Sequence, residues 1–162
     1  MSQEQDHIRI VREFVDAVNT ANWDTLNRLF ADTVVSWASP SGTAAKGPKP
    51  RHKIQENSDR FYIAWPDCHL EFERVFVQGE WVCAQLIWTG THKGPLRLAS
   101  GETYPPTNRK ITSSMSLVFR IQDGKITHKE EYYDSLDWWR QLGVPPPAGG
   151  VVMDLTKPVG RQ

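Results

Sequence analysis

The stretch Arg109-Lys-Ile-Thr-Ser-Ser-Met-Ser-Leu-Val-Phe-Arg-Ile121, followed by Gln122-Asp123-Gly124 and Lys125-Ile-Thr-His-Lys-Glu-Glu-Tyr-Tyr-Asp134, decides the fold. Ile111, Ser113, Met115, Leu117, Phe119 and Ile121 alternate with Lys110, Thr112, Ser114, Ser116, Val118 and Arg120. That is a strand with one apolar face. Asp-Gly between two such arms marks a β-hairpin. The second arm is unusual in carrying charge through its middle. A three-residue loop, Gln122-Asp123-Gly124, sets Leu117 against Lys129 and Met115 against Glu131. Lys129, Glu131 and Tyr133 then lie on the apolar face. A two-residue loop, Asp123-Gly124, slips the register by one and turns His128, Glu130, Tyr132 and Asp134 inward. An aspartate before a left-handed glycine favours the first arrangement, and in either a carboxylate faces the apolar side.

Upstream, Ile8, Val11, Phe14, Val15 and Val18 mark one face of a helix over 5–20. Asn22 caps a second, shorter helix with Trp23, Leu26, Leu29 and Phe30. A short strand over 34–39 ends at Pro40-Ser41-Gly42, and 41–50 reads as a loop. Pro48 or Pro50 opens a third helix, with Ile54 and Phe61 inward, that stops at Trp65-Pro66-Asp67. Leu70 and Phe72, then Val75 and Val77 after a shift of face, form a strand. Val82, Ala84, Leu86 and Trp88 face inward on the next. Residues 91–108 form a long Gly/Pro-bearing connection, a candidate lid. Ser135 can cap a last helix over 136–142, stopped by Gly143. The expected organisation is one domain over 1–143 and a tail over 144–162, mobile or laid on a partner subunit. Helices grouped against a curved antiparallel sheet give an α+β cone with an internal pocket.

The 162 residues carry 19 basic and 19 acidic side chains, so no net charge argues for nucleic acid or an anionic membrane. No stretch is apolar for long enough to span a bilayer, and a cytoplasmic protein is expected. Cys68 and Cys83 lack metal-ligand spacing and read as buried thiols. No phosphate-cradling loop, metal cluster or serine nucleophile context is visible.

Trp65-Pro66-Asp67, Gly90-Thr91-His92-Lys93-Gly94, Tyr104 to Ile111, Asp123-Gly124-Lys125-Ile126, and Asp134 with Gln141-Leu142-Gly143 give the chain its family likeness. In these segments it resembles the SnoaL-like polyketide cyclases of the nuclear transport factor 2-like superfamily, from about Ile8 to Gly143. In that family an aspartate on the last strand is the acid/base of an intramolecular aldol closure, and the matching position here is Glu131. A polar partner on the neighbouring strand is replaced by Leu117. Ketosteroid isomerase positions fall on Phe14, Trp37 and the Met115/Leu117 face, and those of limonene-type epoxide hydrolases on Leu86 and Trp88. Both of those chemistries lose their residues.

The resemblance and the strand faces together nominate Glu131 as acid/base. Apolar neighbours strip water from a carboxylate and favour its neutral form, which suits proton transfer. Tyr133 would donate to a substrate carbonyl or enolate, and His92 would sit at the mouth of the cone. Phe14, Trp37, Phe61, Trp65, Trp88, Met115, Leu117 and Lys129 are the expected substrate wall. The implied ligand is a small apolar or polycyclic carbonyl compound. The implied activity is that of a lyase or isomerase needing neither metal nor organic cofactor, with a non-catalytic binding module or a hydrolase/dehydratase as alternatives. Cys83, Ile87, Ser116 and Val118 on the outer sheet face suggest a homodimer.

Overall fold

The structure is a computed structural model, and it describes residues 2–39, 46–98 and 101–147. Three helices come first: α1 (Gln3–Asn19), α2 (Trp23–Leu29) and α3 (Arg51–Ala64). Strand β1 (Phe30–Ala38) follows α2, and β2 (Gly47–Pro50) precedes α3. The sheet continues with β3 (His69–Gln78), β4 (Trp81–Thr91), β7 (Lys110–Gln122) and β8 (Lys125–Tyr133). A small hairpin, β5 (Leu96–Arg97) and β6 (Thr103–Tyr104), interrupts the connection after β4, and α4 (Ser135–Leu142) closes the described chain.

Local chemistry explains each boundary. Ser2 and Gln5 form a capping box on α1, and Asn22 accepts from the Thr25 N–H to start α2. Pro50 stands before α3, where a proline's missing N–H costs nothing. Asp134 rather than Ser135 caps α4, accepting from the N–H groups of Leu136 and Asp137 at 3.0 and 3.1 Å. Gly143 leaves that helix in the left-handed region. The last turn of α1 is fastened to β3 by Asn19, whose side chain donates to the Leu70 carbonyl and accepts its N–H at 2.9 and 2.7 Å.

The large sheet runs β2-β1-β8-β7-β4-β3. It is mixed rather than wholly antiparallel, because β1 and β8 run parallel. Part of the expected 41–50 loop is strand β2, which extends β1 at the sheet edge. The expected connection 91–108 holds the β5–β6 hairpin. The core face of β7 is the one read from the alternation, with Ile111, Ser113, Met115, Leu117, Phe119 and Ile121 all buried. On α1 the inward face turns slightly, burying Ile10 while Ile8 stays half-exposed. Cys68 is buried, but Cys83 is only half-buried on the outer sheet face. Residues 148–162 of the expected tail and residues 40–45 lie outside the described residues. Of the tail's start, Val144 packs on the core.

The β7–β8 hairpin has the inward residues expected but a different turn. Gln122 pairs with Lys125, so the loop is the two residues Asp123-Gly124, both at positive φ (+48° and +72°) as a type I′ turn requires. A bulge then restores the phase. Ile121 pairs with Ile126 and Arg120 with His128, leaving Thr127 as the extra residue. Its hydroxyl donates to the Arg120 carbonyl. Beyond the bulge Phe119 faces Lys129, Leu117 faces Glu131 and Met115 faces Tyr133. Glu131 therefore sits opposite Leu117, not Met115. A Cβ on Gly124 would meet nothing within 4 Å, so the backbone alone opposes a side chain there. Gly124→Ala is expected to destabilise by about 1 kcal/mol, lowering the melting temperature by roughly 2–4 °C. Calorimetry checks the shift.

Candidate active site

Between the helices and the inner sheet face lies a cavity of about 870 Å³. Ligand sites usually span about 300–1,000 Å³. Its wall is largely apolar: Phe14 and Val18 from α1, Phe61 from α3, Trp88 from β4, Met115 and Leu117 from β7. Trp138 of α4 stacks on Trp88 at 4.4 Å between ring centroids and meets Tyr133 at 5.1 Å. Trp139 packs on Tyr104 at 5.0 Å, which ties α4 to the β5–β6 hairpin, and Leu96, Leu98, Pro146 and Pro147 complete that side.

On β8, Lys129, Glu131 and Tyr133 all line the cavity. The Lys129 ammonium pairs with the Glu131 carboxylate and stands 5.8 Å from the centre of the Phe14 ring. Burial, reinforced by the Glu131 charge, pushes the Tyr133 phenol well above its ordinary range. It is therefore a neutral hydroxyl able to donate. The companion carboxylate Glu130 points the other way, onto the outer sheet face. There burial works against its charge, but hydrogen bonds from Lys46 and Tyr132 hold its carboxyl below the usual value.

Two expected wall or site residues, Trp65 and His92, stand away from the cavity, and a third, Trp37, only borders it. Trp37 borders the cavity, but its ring packs on Tyr132 at 5.2 Å with Lys46 above it, because it pairs with outward-facing Glu130. Trp65 is fully buried behind Trp88, with ring centres 5.1 Å apart, and does not line the cavity. His92 is not at a mouth. It has no exposed surface, lies against Trp65 at 5.0 Å, and accepts at Nδ1 from the Thr107 N–H at 3.2 Å. Its backbone extends the β4–β7 ladder through Arg109 O and Asn108 N–H. His92 thus staples both ends of the long connection, which a solvent-facing histidine would not do.

Other lining residues were not singled out from the sequence: Trp138, Trp139, Lys49, Arg51 and the hydrogen-bonded pair Asn27–Gln55. The adjacent tryptophans were placed on a helix, but which one would face the cavity depends on how α4 docks. Among the described residues no group of three or more His, Cys, Asp or Glu is arranged to hold a metal, and no helix is long and apolar enough to cross a membrane.

The sequence profile of the SnoaL-like polyketide cyclases matches residues 8–142. The chain belongs to this family. It is 29% identical over 139 residues to nogalonic acid methyl ester cyclase of Streptomyces nogalater, covering 82% of this chain and 94% of that one. Aklanonic acid methyl ester cyclase of Streptomyces peucetius is also 29% identical, over 143 residues, 86% of this chain and 92% of the relative. A SnoaL-like protein from Jannaschia sp. CCS1 superimposes with a TM-score of 0.76 at 20% identity, over 90% of this chain and 98% of that one. An epoxide hydrolase from M. tuberculosis shares the fold at a TM-score of 0.63 and 16% identity, over 87% and 92%. Leu86 and Trp88, at the positions that resemblance assigns to epoxide hydrolysis, are buried apolar side chains.

Burial holds the His92 imidazole below its ordinary pKa of 6.5. The folded state thus prefers it neutral, while the unfolded chain takes up the proton at a higher pH. The stability it contributes is complete above pH 6.5 and is lost as pH falls through the lower, folded value. His92→Gln should melt earlier at neutral pH, yet lose less further stability than the unsubstituted chain between pH 7 and about pH 5. Thermal melts across that range check both signs.

Proposed function

We propose that this family member is a cofactor-independent aldol-type cyclase, a lyase or isomerase acting on a polyketide-like polycyclic carbonyl substrate, with Glu131 as acid/base. The observation that carries the reading is a carboxylate, the one among the described lining residues, paired to an ammonium on the wall of a largely apolar, aromatic-rich cavity of fused-ring size. A flat substrate would slide against Trp88, Phe61 and Trp138. Glu131 would take a proton from a carbon lying between two carbonyls, and the resulting enolate would attack a ketone elsewhere in the same molecule. The new C–C bond leaves an alkoxide, which recovers the proton from Glu131. Lys129 and the Tyr133 hydroxyl would stabilise the enolate and alkoxide oxygens as charge develops. Fixing both carbons in one cavity supplies the proximity that an intramolecular closure needs.

The pairing of Glu131 with Leu117 favours a second reading, a non-catalytic module that holds the same class of ligand. Glu131→Gln separates the two. For a cyclase, turnover of an aklanonic acid methyl ester-like substrate should fall by about 10²–10⁴-fold with ligand binding retained. Unchanged turnover would remove Glu131 from the mechanism. The same reading makes the protein a cytoplasmic homodimer that joins through the outer sheet face. Phe76 and Trp81 are exposed there beside Cys83, Ile87 and Val118. Val118→Glu should then halve the mass seen by sedimentation. A monomeric unsubstituted chain would contradict the dimer.

A further inference from the structure

Strand β8 sets an amine, a carboxyl and a phenol in one row. Lys129, Glu131 and Tyr133 alternate along it, so all three lie on one face and line the cavity. Lys129 is the unusual member. A lysine normally reaches water, but this side chain is only 14% exposed, and that of its partner Glu131 is 28% exposed. Buried Phe119 stands opposite it on β7, and Ser36 lies beside it on β1. The Phe14 ring of α1 is 5.8 Å from its ammonium. Pairing with Glu131 satisfies both charges while water still reaches the cavity. A flat ligand that fills the cavity removes that water. An ion pair stripped of hydration is driven towards its neutral form, here an amine beside a carboxylic acid. A desolvated lysine amine is a nucleophile towards carbonyl carbon.

We propose that Lys129 is a covalent catalytic residue that condenses reversibly with a fused-ring ketone bearing a single carbonyl, a substrate class beyond the one proposed above. The inference rests on the reading of this cavity as a site for carbonyl compounds, but not on Glu131 taking a proton from an activated carbon. A carbon between two carbonyls gives up its proton readily, and Lys129 then need only be an ammonium. A lone ketone needs more activation. The Lys129 amine attacks its carbonyl carbon and forms the C–N bond, while the proton that passed to Glu131 goes to the carbonyl oxygen. The nitrogen of this carbinolamine loses a proton to Glu131, which hands it to the hydroxyl as water leaves. Ammonium plus ketone thus becomes iminium plus water, with Glu131 a carboxylate at both ends. The charge of the pair is unchanged, so the groups that hold the ammonium, Glu131 and the Phe14 ring, also hold the iminium. Loss of a proton from the neighbouring carbon to Glu131 then gives an enamine, a carbon nucleophile formed without a free enolate.

Reductive trapping of the full chain with 2-tetralone and sodium cyanoborohydride, which reduces an iminium far faster than a ketone, tests this. Intact mass should show one adduct, heavier by the ligand less one oxygen atom, and peptide mapping should place it on Lys129. Tetralin, the same ring system without the carbonyl, should slow its formation. Lys129→Arg keeps a cation beside Glu131 but cannot release a proton to become a nucleophile, so the adduct should be lost while the melting curve shows the fold intact. Glu131→Gln removes the proton carrier and should slow trapping by about 10²-fold. Absence of an adduct on the unsubstituted chain overturns the proposal. So does an adduct on Lys49 or spread over exposed lysines, indifference to tetralin, or trapping that survives Lys129→Arg. If no adduct forms but 2-tetralone binds and Glu131→Gln abolishes turnover of a dicarbonyl substrate, the covalent role alone falls. If Lys129 is trapped but that turnover survives Glu131→Gln, the reading of Glu131 as the base for an activated carbon falls instead.

Discussion

The site depends on one residue too many in one strand. The type I′ turn at Asp123-Gly124, continued without interruption, would send His128, Glu130 and Tyr132 into the cavity and Lys129, Glu131 and Tyr133 out of it. Thr127 prevents this by standing unpaired in the ladder, its hydroxyl returned to the Arg120 carbonyl. Ile126 can then stay buried beside Ile121 near the turn while Lys129 and Glu131 face inward further along. Strand β1 follows the same disturbance: its pairing with β8 shifts between Phe30 and Val35, and Ser36 and Ala38 come into line with the inward charges. Bulges are over-represented beside active sites, where they re-aim a side chain, and here the bulge turns Glu131 into the cavity.

Around this strand the molecule divides the labour between stiffness and chemistry. Trp65, Trp88, Trp138 and Phe61 form a connected aromatic mass, with His92 sealed behind it. Trp88 and Trp138 present their surfaces to the cavity, while Trp65 and His92 hold the ends of the long connection in place. The cavity's polar groups are few and sit on β8, on the β1–β2 edge and between α2 and α3. A ligand would therefore be oriented by a handful of contacts against a wall that mainly excludes water.

Much of this was legible in the sequence because periodicity and punctuation report directly on backbone geometry. The alternation from Ile111 to Ile121, Asn22 before Trp23, and Gly143 after Leu142 each appear in the structure as the strand face, cap and stop they suggested. The likeness to the cyclases was legible too, and the family profile spans residues 8–142. The inward set Lys129, Glu131 and Tyr133 was also foreseen, but through a three-residue loop. Asp-Gly is compatible with both turns, and a bulge three residues further on, at Thr127, leaves no mark of its own in composition. His92 was misplaced because a histidine between glycines looks solvent-exposed. Its burial comes from Trp65 and Thr107, which lie far away in sequence. Trp37 does border the cavity, but the parallel pairing of its strand with β8 turns the ring toward Tyr132 on the outer face. Lys49 went unnoticed because a short edge strand between prolines reads as loop.

The claim on which the account turns is that the Thr127 bulge delivers Glu131 to the reacting part of a ligand. A crystal structure of the protein with a bound polycyclic ketone addresses it most directly. The account predicts the rings between Trp88, Phe61 and Trp138, with a Glu131 oxygen about 2.6–3.2 Å from a ligand oxygen or bridging water, or in contact with the acidic carbon. A ligand seated elsewhere, or a Glu131 side chain turned to the outer face of the sheet, would contradict it.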